Sequence, residues 1–132
     1  MTTYSVRKVT PVLVVPSVEP SLAFWEDRLG FTRTAEVPHD GAIGFAIVVK
    51  DGAEVMLQSE ASVRADLGST TATLSGTSAA LFVEVSDLDV VERAVSGEKI
   101  EMPRRRTFYG MDEIGVREPG GHFVIFAQPA AS

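Results

Sequence analysis

The sequence predicts an α+β fold of two tandem βαβββ modules whose curved mixed sheets surround a cleft. Three observations carry that expectation. The 132-residue chain runs twice through the order strand, helix, strand, strand, strand. Apolar residues alternate within the strands and recur at helical spacing within the helices. Each half also closes on a tight turn leading into an apolar strand, Asp51-Gly52 in the first and Pro119-Gly120-Gly121 in the second. The expected organisation is a single domain, 1–132, of two modules at about 6–59 and 78–129, joined by a Ser/Thr/Ala/Gly-rich connection at 60–77. One domain suits this length.

The valine-rich run from Val9 to Val15 reads as the first strand. Pro11 lies within it and cannot donate to a ladder, so the strand belongs at a sheet edge or a subunit boundary. Ser17 to Leu29 reads as a helix. Ser17 is placed to cap it, Glu19-Pro20 suits its first turn, and Gly30 stops it. Val18, Leu22, Trp25 and Leu29 form its apolar face. Strands follow near Thr32 to Val37, Ala42 to Lys50 and Ala53 to Ser59, separated by His39-Asp40-Gly41 and Asp51-Gly52. Asp-Gly suits a two-residue hairpin because glycine accepts a positive φ. A short helix around Ala61 to Leu67 opens the connection. Its remainder reads as a mobile loop.

The second half repeats the plan. Ala79 to Val85 is a strand, and Asp87 caps a helix with Leu88, Val91 and Val95 on its apolar face, ending at Gly97. Strands near Lys99 to Thr107, Met111 to Glu118 and His122 to Gln128 complete it. Thr10 and Val15 correspond to Ala80 and Val85 at an offset of 70, and Gly52 to Gly121 at 69. The repeat is one of pattern rather than identity.

Strand alternation separates two faces. Leu13, Val15, Val55, Leu57, Leu81, Val83, Val85, Val124 and Phe126 fall on one, with Ile114 and Val116 beside them, and every member is apolar. A helix-covered face requires that. The other face is mixed. It holds the candidate ligand-binding residues Phe82, Glu84, Phe123, Met56, Gln58, Met111 and Glu113, with Arg106 and Tyr109 at its margin. Aromatic and methionine walls with a few polar groups suit a cavity for a small molecule. The same mixture also suits an ordinary solvent-facing sheet.

The chain has no cysteine, which excludes disulfides, thiolate metal sites and cysteine nucleophiles. That absence and an N-terminus without an apolar core point to the cytoplasm. No apolar run approaches the ~20 residues of a membrane helix. A formal charge of −6 repels phosphate backbones and argues against nucleic-acid binding. The run Arg104-Arg105-Arg106 reads first as a solvated edge and second as an anion site.

The motifs resemble a known family. Ser17-Val18-Glu19-Pro20-Ser21-Leu22-Ala23-Phe24-Trp25 with Leu29-Gly30-Phe31 is similar to the opening of the vicinal oxygen chelate superfamily, which includes glyoxalases, extradiol dioxygenases and bleomycin-resistance proteins. Phe82-Val83-Glu84-Val85-Ser86-Asp87-Leu88-Asp89 resembles the start of its second module. Thr107-Phe108-Tyr109-Gly110-Met111 and Gly115-Val116-Arg117-Glu118-Pro119-Gly120-Gly121-His122 resemble its closing hairpin. The resemblance implies a divalent metal held by His, Gln or Glu at four positions, which fall here on Thr10, Met56, Ala80 and Ile125. Those side chains cannot supply three or four N/O ligands. The chain therefore reads as the bleomycin-resistance-like, metal-free branch: a binding protein without cofactor, homodimeric, with an unidentified small-molecule ligand. The competing reading is a lyase, isomerase or dioxygenase with a displaced metal site, in which Gln58 and Glu84 would converge with Glu113 or His122. A third is a partner module with no small ligand.

Overall fold

A computed structural model describes residues 3, 5–68 and 79–131. The first module is strand β1 (Val12–Val15), helix α1 (Val18–Leu22), and strands β2 (Thr32–His39), β3 (Ala42–Lys50) and β4 (Ala53–Ser59). Helix α2 (Glu60–Leu67) follows. The second module is β5 (Ala80–Glu84), helix α3 (Leu88–Ala94), β6 (Lys99–Arg106), β7 (Met111–Arg117) and β8 (Phe123–Pro129). The strands form two four-stranded sheets, ordered β1-β4-β3-β2 and β5-β8-β7-β6. The outer pair in each, β1 with β4 and β5 with β8, is parallel; the rest are antiparallel. The second half of the 60–77 connection, residues 69–77, lies outside the described residues, as does residue 78.

The repeat holds at the level of register. Val12 sits opposite Met56, and its counterpart Phe82 sits opposite Ile125. β1 is an edge strand, as Pro11 requires, although the ladder begins only at Val12 because Pro11 has no N–H to give. Asp40 and Gly41 have φ of 49° and 80°, and Asp51 and Gly52 have φ of 51° and 83°. Both hairpins thus use left-handed pairs, whose twist matches that of the strands.

The first helix departs from expectation in two ways. Ser17 has extended backbone but makes no side-chain cap bond. A carboxylate oxygen of Glu19 instead accepts the Ile43 amide at 2.9 Å and ties the helix start to β3. Beyond Leu22 the chain widens into a π-helical segment, Ala23–Arg28. That winding buries Phe24 beside Trp25, at 1% and 0% exposure. Trp25 meets Phe24 and Phe31 edge-to-face at 5.4 and 5.1 Å, a geometry that suits the ring quadrupoles. Helix α3 follows expectation, with the Asp87 carboxylate accepting the Val90 amide at 3.2 Å.

One core joins the modules. Val15, Leu57, Val18 and Trp25 of the first and Leu88, Val116, Val124 and Phe126 of the second belong to a single buried cluster. Polar groups pin the seam between them. Glu118, 1% exposed, accepts the Ser21 hydroxyl at 2.9 Å and the His122 amide at 3.1 Å. The His122 ring lies 2.9 Å from the Val14 carbonyl, so its Nε2 is the protonated donor. Gly120 fits where a Cβ would meet Val15 at 2.3 Å and Ser21 at 2.8 Å.

Candidate functional site

Cross-strand registers sort the uncovered face into rows. In the second module one row runs Glu84, Ala127, Glu113, Arg105, and the next runs Phe82, Ile125, Gly115, Met102. In the first module the matching rows run Val14, Gln58, Phe45, Val37 and Val12, Met56, Ile47, Ala35. The mixed face expected from alternation is therefore real, and its groups can be placed one by one.

Phe82 and Glu84 are exposed on the edge strand β5, Phe82 at 53%. Phe123 is half-buried. Its ring covers Gly115, where an added Cβ would lie 2.6 Å from Cζ, and the Arg117 guanidinium stacks 5.3 Å from its centroid. Met56 is wedged between Val12 and Ile47. Gln58 donates to the Ser62 hydroxyl on α2 at 3.2 Å. Met111 is half-buried opposite Pro129 at the sheet's end.

Glu113 is fully buried, at 0% exposure. It accepts from the Tyr109 hydroxyl and from Arg105 at 3.1 Å. Arg106 corrects a sequence expectation. It turns away from the uncovered face and pairs with Asp112. A hairpin closing Arg106 against Met111 would have put it on the uncovered face. The loop closes one residue later, and a one-residue slip exchanges the faces of a strand. Arg105 takes the place expected for Arg106. Arg104 binds Asp89 and Glu92, so all three consecutive arginines are engaged by carboxylates and form no open anion site.

The Tyr109 phenol is held above its ordinary value, first by its hydrogen bond to Glu113, then by desolvation and by the carboxylate's charge. A raised value means that its contribution to stability is complete below the unfolded phenol's ~10 and is lost as pH rises through the folded value. Absorbance titration of a Tyr4→Phe variant, in which Tyr109 is the one remaining phenol, should show it ionising above the ordinary tyrosine value, and adding Glu113→Gln should bring it down towards that value. A phenol that titrates at the ordinary value while Glu113 is present would contradict the Tyr109–Glu113 bond.

The expected metal positions can be tested against their donors. The Thr10 hydroxyl donates to Glu54 at 3.1 Å. Met56 offers a soft thioether, and Ala80 and Ile125 offer nothing. Among the described residues no group of three His, Cys, Asp or Glu is placed to hold an ion. This donor set does not fit a divalent metal. The side chains on which a displaced site depends are also dispersed. Glu84 and Glu113 stand two strand widths apart, roughly 10 Å, Gln58 is tied to α2, and His122 is tied to the seam.

Concave space lies where the two sheet edges separate. A slot of about 470 Å³ runs between β5 and the chain entering β1. Phe82, Glu84 and Leu81 line one side and Val9, Pro11 and Glu54 the other, with Trp25 and Phe31 also in its wall. Glu54 is held ionised below the usual carboxylate range by Lys8, 2.9 Å away, and by Thr10. Glu84 has no hydrogen-bond or ion-pair partner among the described residues. Alternation puts Glu54 on the same face as Phe82, but nothing in the sequence groups Val9 and Pro11 with them. Alternation ranks residues by face but is silent on which edges of two sheets draw apart.

Comparison with known proteins agrees with this architecture. Residues 8–126 match the family model of the Glyoxalase/Bleomycin resistance protein/Dioxygenase superfamily. A search of curated protein sequences finds no match. Among solved structures, a glyoxalase/bleomycin resistance protein/dioxygenase from Nocardioides superposes with a TM-score of 0.72 at 20% identity, covering 98% of this chain and 88% of that one. TioX from Micromonospora sp. ML1 gives 0.72 at 22%, covering 91% and 96%. The bleomycin-binding protein of Streptomyces verticillus, in complex with copper(II)-bleomycin, gives 0.63 at 22%, covering 100% of both chains. These likenesses establish a shared fold, and the family match spans most of the sequence. The chain belongs to the glyoxalase/bleomycin resistance protein/dioxygenase superfamily.

Proposed function

We propose that the chain is a metal-independent small-molecule-binding protein whose ligand seats in the slot between β5 and the entry to β1. The observation that carries this reading is the pairing of an exposed Phe82 with Glu84, which has no partner among the described residues, at the mouth of an apolar slot of about 470 Å³. That volume and lining suit a compact organic ligand. The donor set described above supports metal independence, and a relative of the same fold is solved with a bound drug complex. We further propose that the protein works as a cytoplasmic homodimer. Val12, Val37 and Phe82, exposed at 49%, 53% and 53%, offer apolar area for a two-fold partner.

A thermal-shift panel of flat cationic drugs, thiol adducts and aromatic acids tests the site. A ligand at 100 times its Kd should stabilise the fold by about 2.7 kcal/mol. Phe82→Ala and Glu84→Gln should each remove most of that shift. A shift that survives both substitutions would place the ligand elsewhere. One tightly held equivalent of Ni, Zn, Fe or Mn in protein purified without chelator would defeat the metal-independent reading. Sedimentation analysis checks the dimer.

A further inference from the structure

The internal symmetry is broken at one place, and a groove opens there. At the seam, Glu118, Gly120 and His122 of the β7–β8 turn reach Ser21, Val15 and the Val14 carbonyl of the first module. Register carries Gly115 onto Ile47 and Arg117 onto Val49, so Glu118 corresponds to Lys50 and His122 to Ala53. The repeat carries Val14, Val15 and Ser21 onto Glu84, Val85 and Val91. The repeat-related seam would thus need Lys50 to bond Val91 and Ala53 to bond the Glu84 carbonyl. Valine and alanine side chains have no polar atom to do either. The β3–β4 turn is also one residue shorter than the β7–β8 turn, so nothing stands where Gly120 packs.

In place of that seam lies a groove of about 630 Å³. Its walls include the residues whose counterparts close the other seam: Lys50, Ala53, Glu84, Val85 and Val91. Leu29, Phe31 and Ala94 also line it. It shares Phe31, Ala53, Val83 and Glu84 with the slot, so the two form one trough with Glu84 at the junction.

Charge selects the occupant. Arg28 is engaged by Glu98 at 3.4 Å and by the Ser96 carbonyl at 3.0 Å. Lys50 lies 3.7 Å from Asp51, Asp87 caps Val90, and Glu54 holds Lys8. Glu84 alone among the charged side chains lining the trough has no partner among the described residues. We propose that the trough binds a singly charged amphipathic amine, with its ammonium on Glu84 and its apolar body in the groove along Leu29, Phe31 and Val91. This proposal rests on the slot reading above for Glu84, and extends it by a second lobe and a ligand class. A compact cation meets one carboxylate, and an alkyl or aryl body displaces water from the apolar floor.

Trp25 is the only tryptophan and lines the slot, so its fluorescence reports occupancy. The probes are 4-phenylbutylamine, 4-phenylbutanol and 4-phenylbutyrate, with benzylamine as a probe short enough for the slot alone. Phenylbutylamine should bind about tenfold or more tighter than the alcohol, as a charged hydrogen bond allows, with the carboxylate weakest. Glu84→Gln should abolish the preference for amine over alcohol. Ala94→Phe fills the groove from α3 and should weaken phenylbutylamine about tenfold while sparing benzylamine. Val90→Phe, at an exposed groove position, repeats that test should Ala94→Phe fold poorly, as judged by circular dichroism. Equal binding of the three phenylbutyl probes, or no binding of the amine, overturns the proposal. If Phe82→Ala weakens both amines but the groove-filling variant that folds leaves phenylbutylamine unchanged, the slot reading stands and the groove proposal falls. If Phe82→Ala and the groove variants all leave amine binding unchanged, both fall.

Discussion

Gly120→Ala is expected to destabilise the protein by about 2–3 kcal/mol, near the top of the range for overpacking a closed interior. The new methyl would lie 2.3 Å from Val15 Cγ1, 2.6 Å from Glu118 Oε1 and 2.8 Å from Ser21 Oγ. None of the three can yield cheaply. Val15 is fully buried in the common core, and Ser21 is bonded to Glu118 within the same seam. The cause is crowding and not backbone strain, because Gly120 lies outside the left-handed region. Gly121 supplies the contrast, with φ at 96° and open space around it. Gly121→Ala should therefore cost only the left-handed penalty, about 1–2 kcal/mol. Urea unfolding measures both, as a lower midpoint at unchanged slope for each variant. A loss below about 1 kcal/mol for Gly120→Ala would mean that the seam between the modules is soft.

Arg105→Ala should cost about 2 kcal/mol at neutral pH. Breaking a buried ion pair from one side costs about 3–5 kcal/mol because a charge is stranded. The discount reflects Arg105 itself, whose side chain is 53% exposed while Glu113 is at 0%, so water screens part of the interaction. Tyr109 remains as a donor to Glu113 but brings no positive charge. The double variant Arg105→Ala, Glu113→Leu should recover most of the loss, since an apolar pair of suitable volume often replaces a buried ion pair without penalty. If the double variant is no more stable than the single, the loss comes from packing of the arginine stem and not from a stranded carboxylate. Arg106→Ala serves as the reference. Its side chain is 60% exposed on the edge strand β6, so water screens its pair with Asp112, and the change should stay within about 0.5 kcal/mol.

Much of this protein follows from local chemistry. The positive-φ pairs Asp40-Gly41 and Asp51-Gly52, the Asp87 cap and the edge position enforced by Pro11 each depend on a residue and its immediate neighbours. The apolar face follows from period two alone, which is why Leu13, Val15, Leu57, Val124 and Phe126 all lie in the core. Repetition of that pattern determined the two modules, and at the four metal positions that the family resemblance implies, the sequence shows Thr10, Met56, Ala80 and Ile125, a set poor in ligands.

Tertiary structure decided what depends on register and on contact between modules. Register flips a strand's faces when a loop closes one residue later, and it exchanged Arg106 for Arg105 as the partner of Glu113. Burial of Glu113 follows from what packs over it, which no alternation pattern records. The open and closed seams are the clearest case. Gly120 against Val15, Glu118 against Ser21 and His122 against Val14 join residues about a hundred positions apart. The related positions Lys50, Ala53, Glu84 and Val91 look unremarkable in sequence. Only when the two sheets are set edge to edge does the missing set of bonds become a groove. Periodicity is a property of one segment at a time, whereas the gap is a property of two.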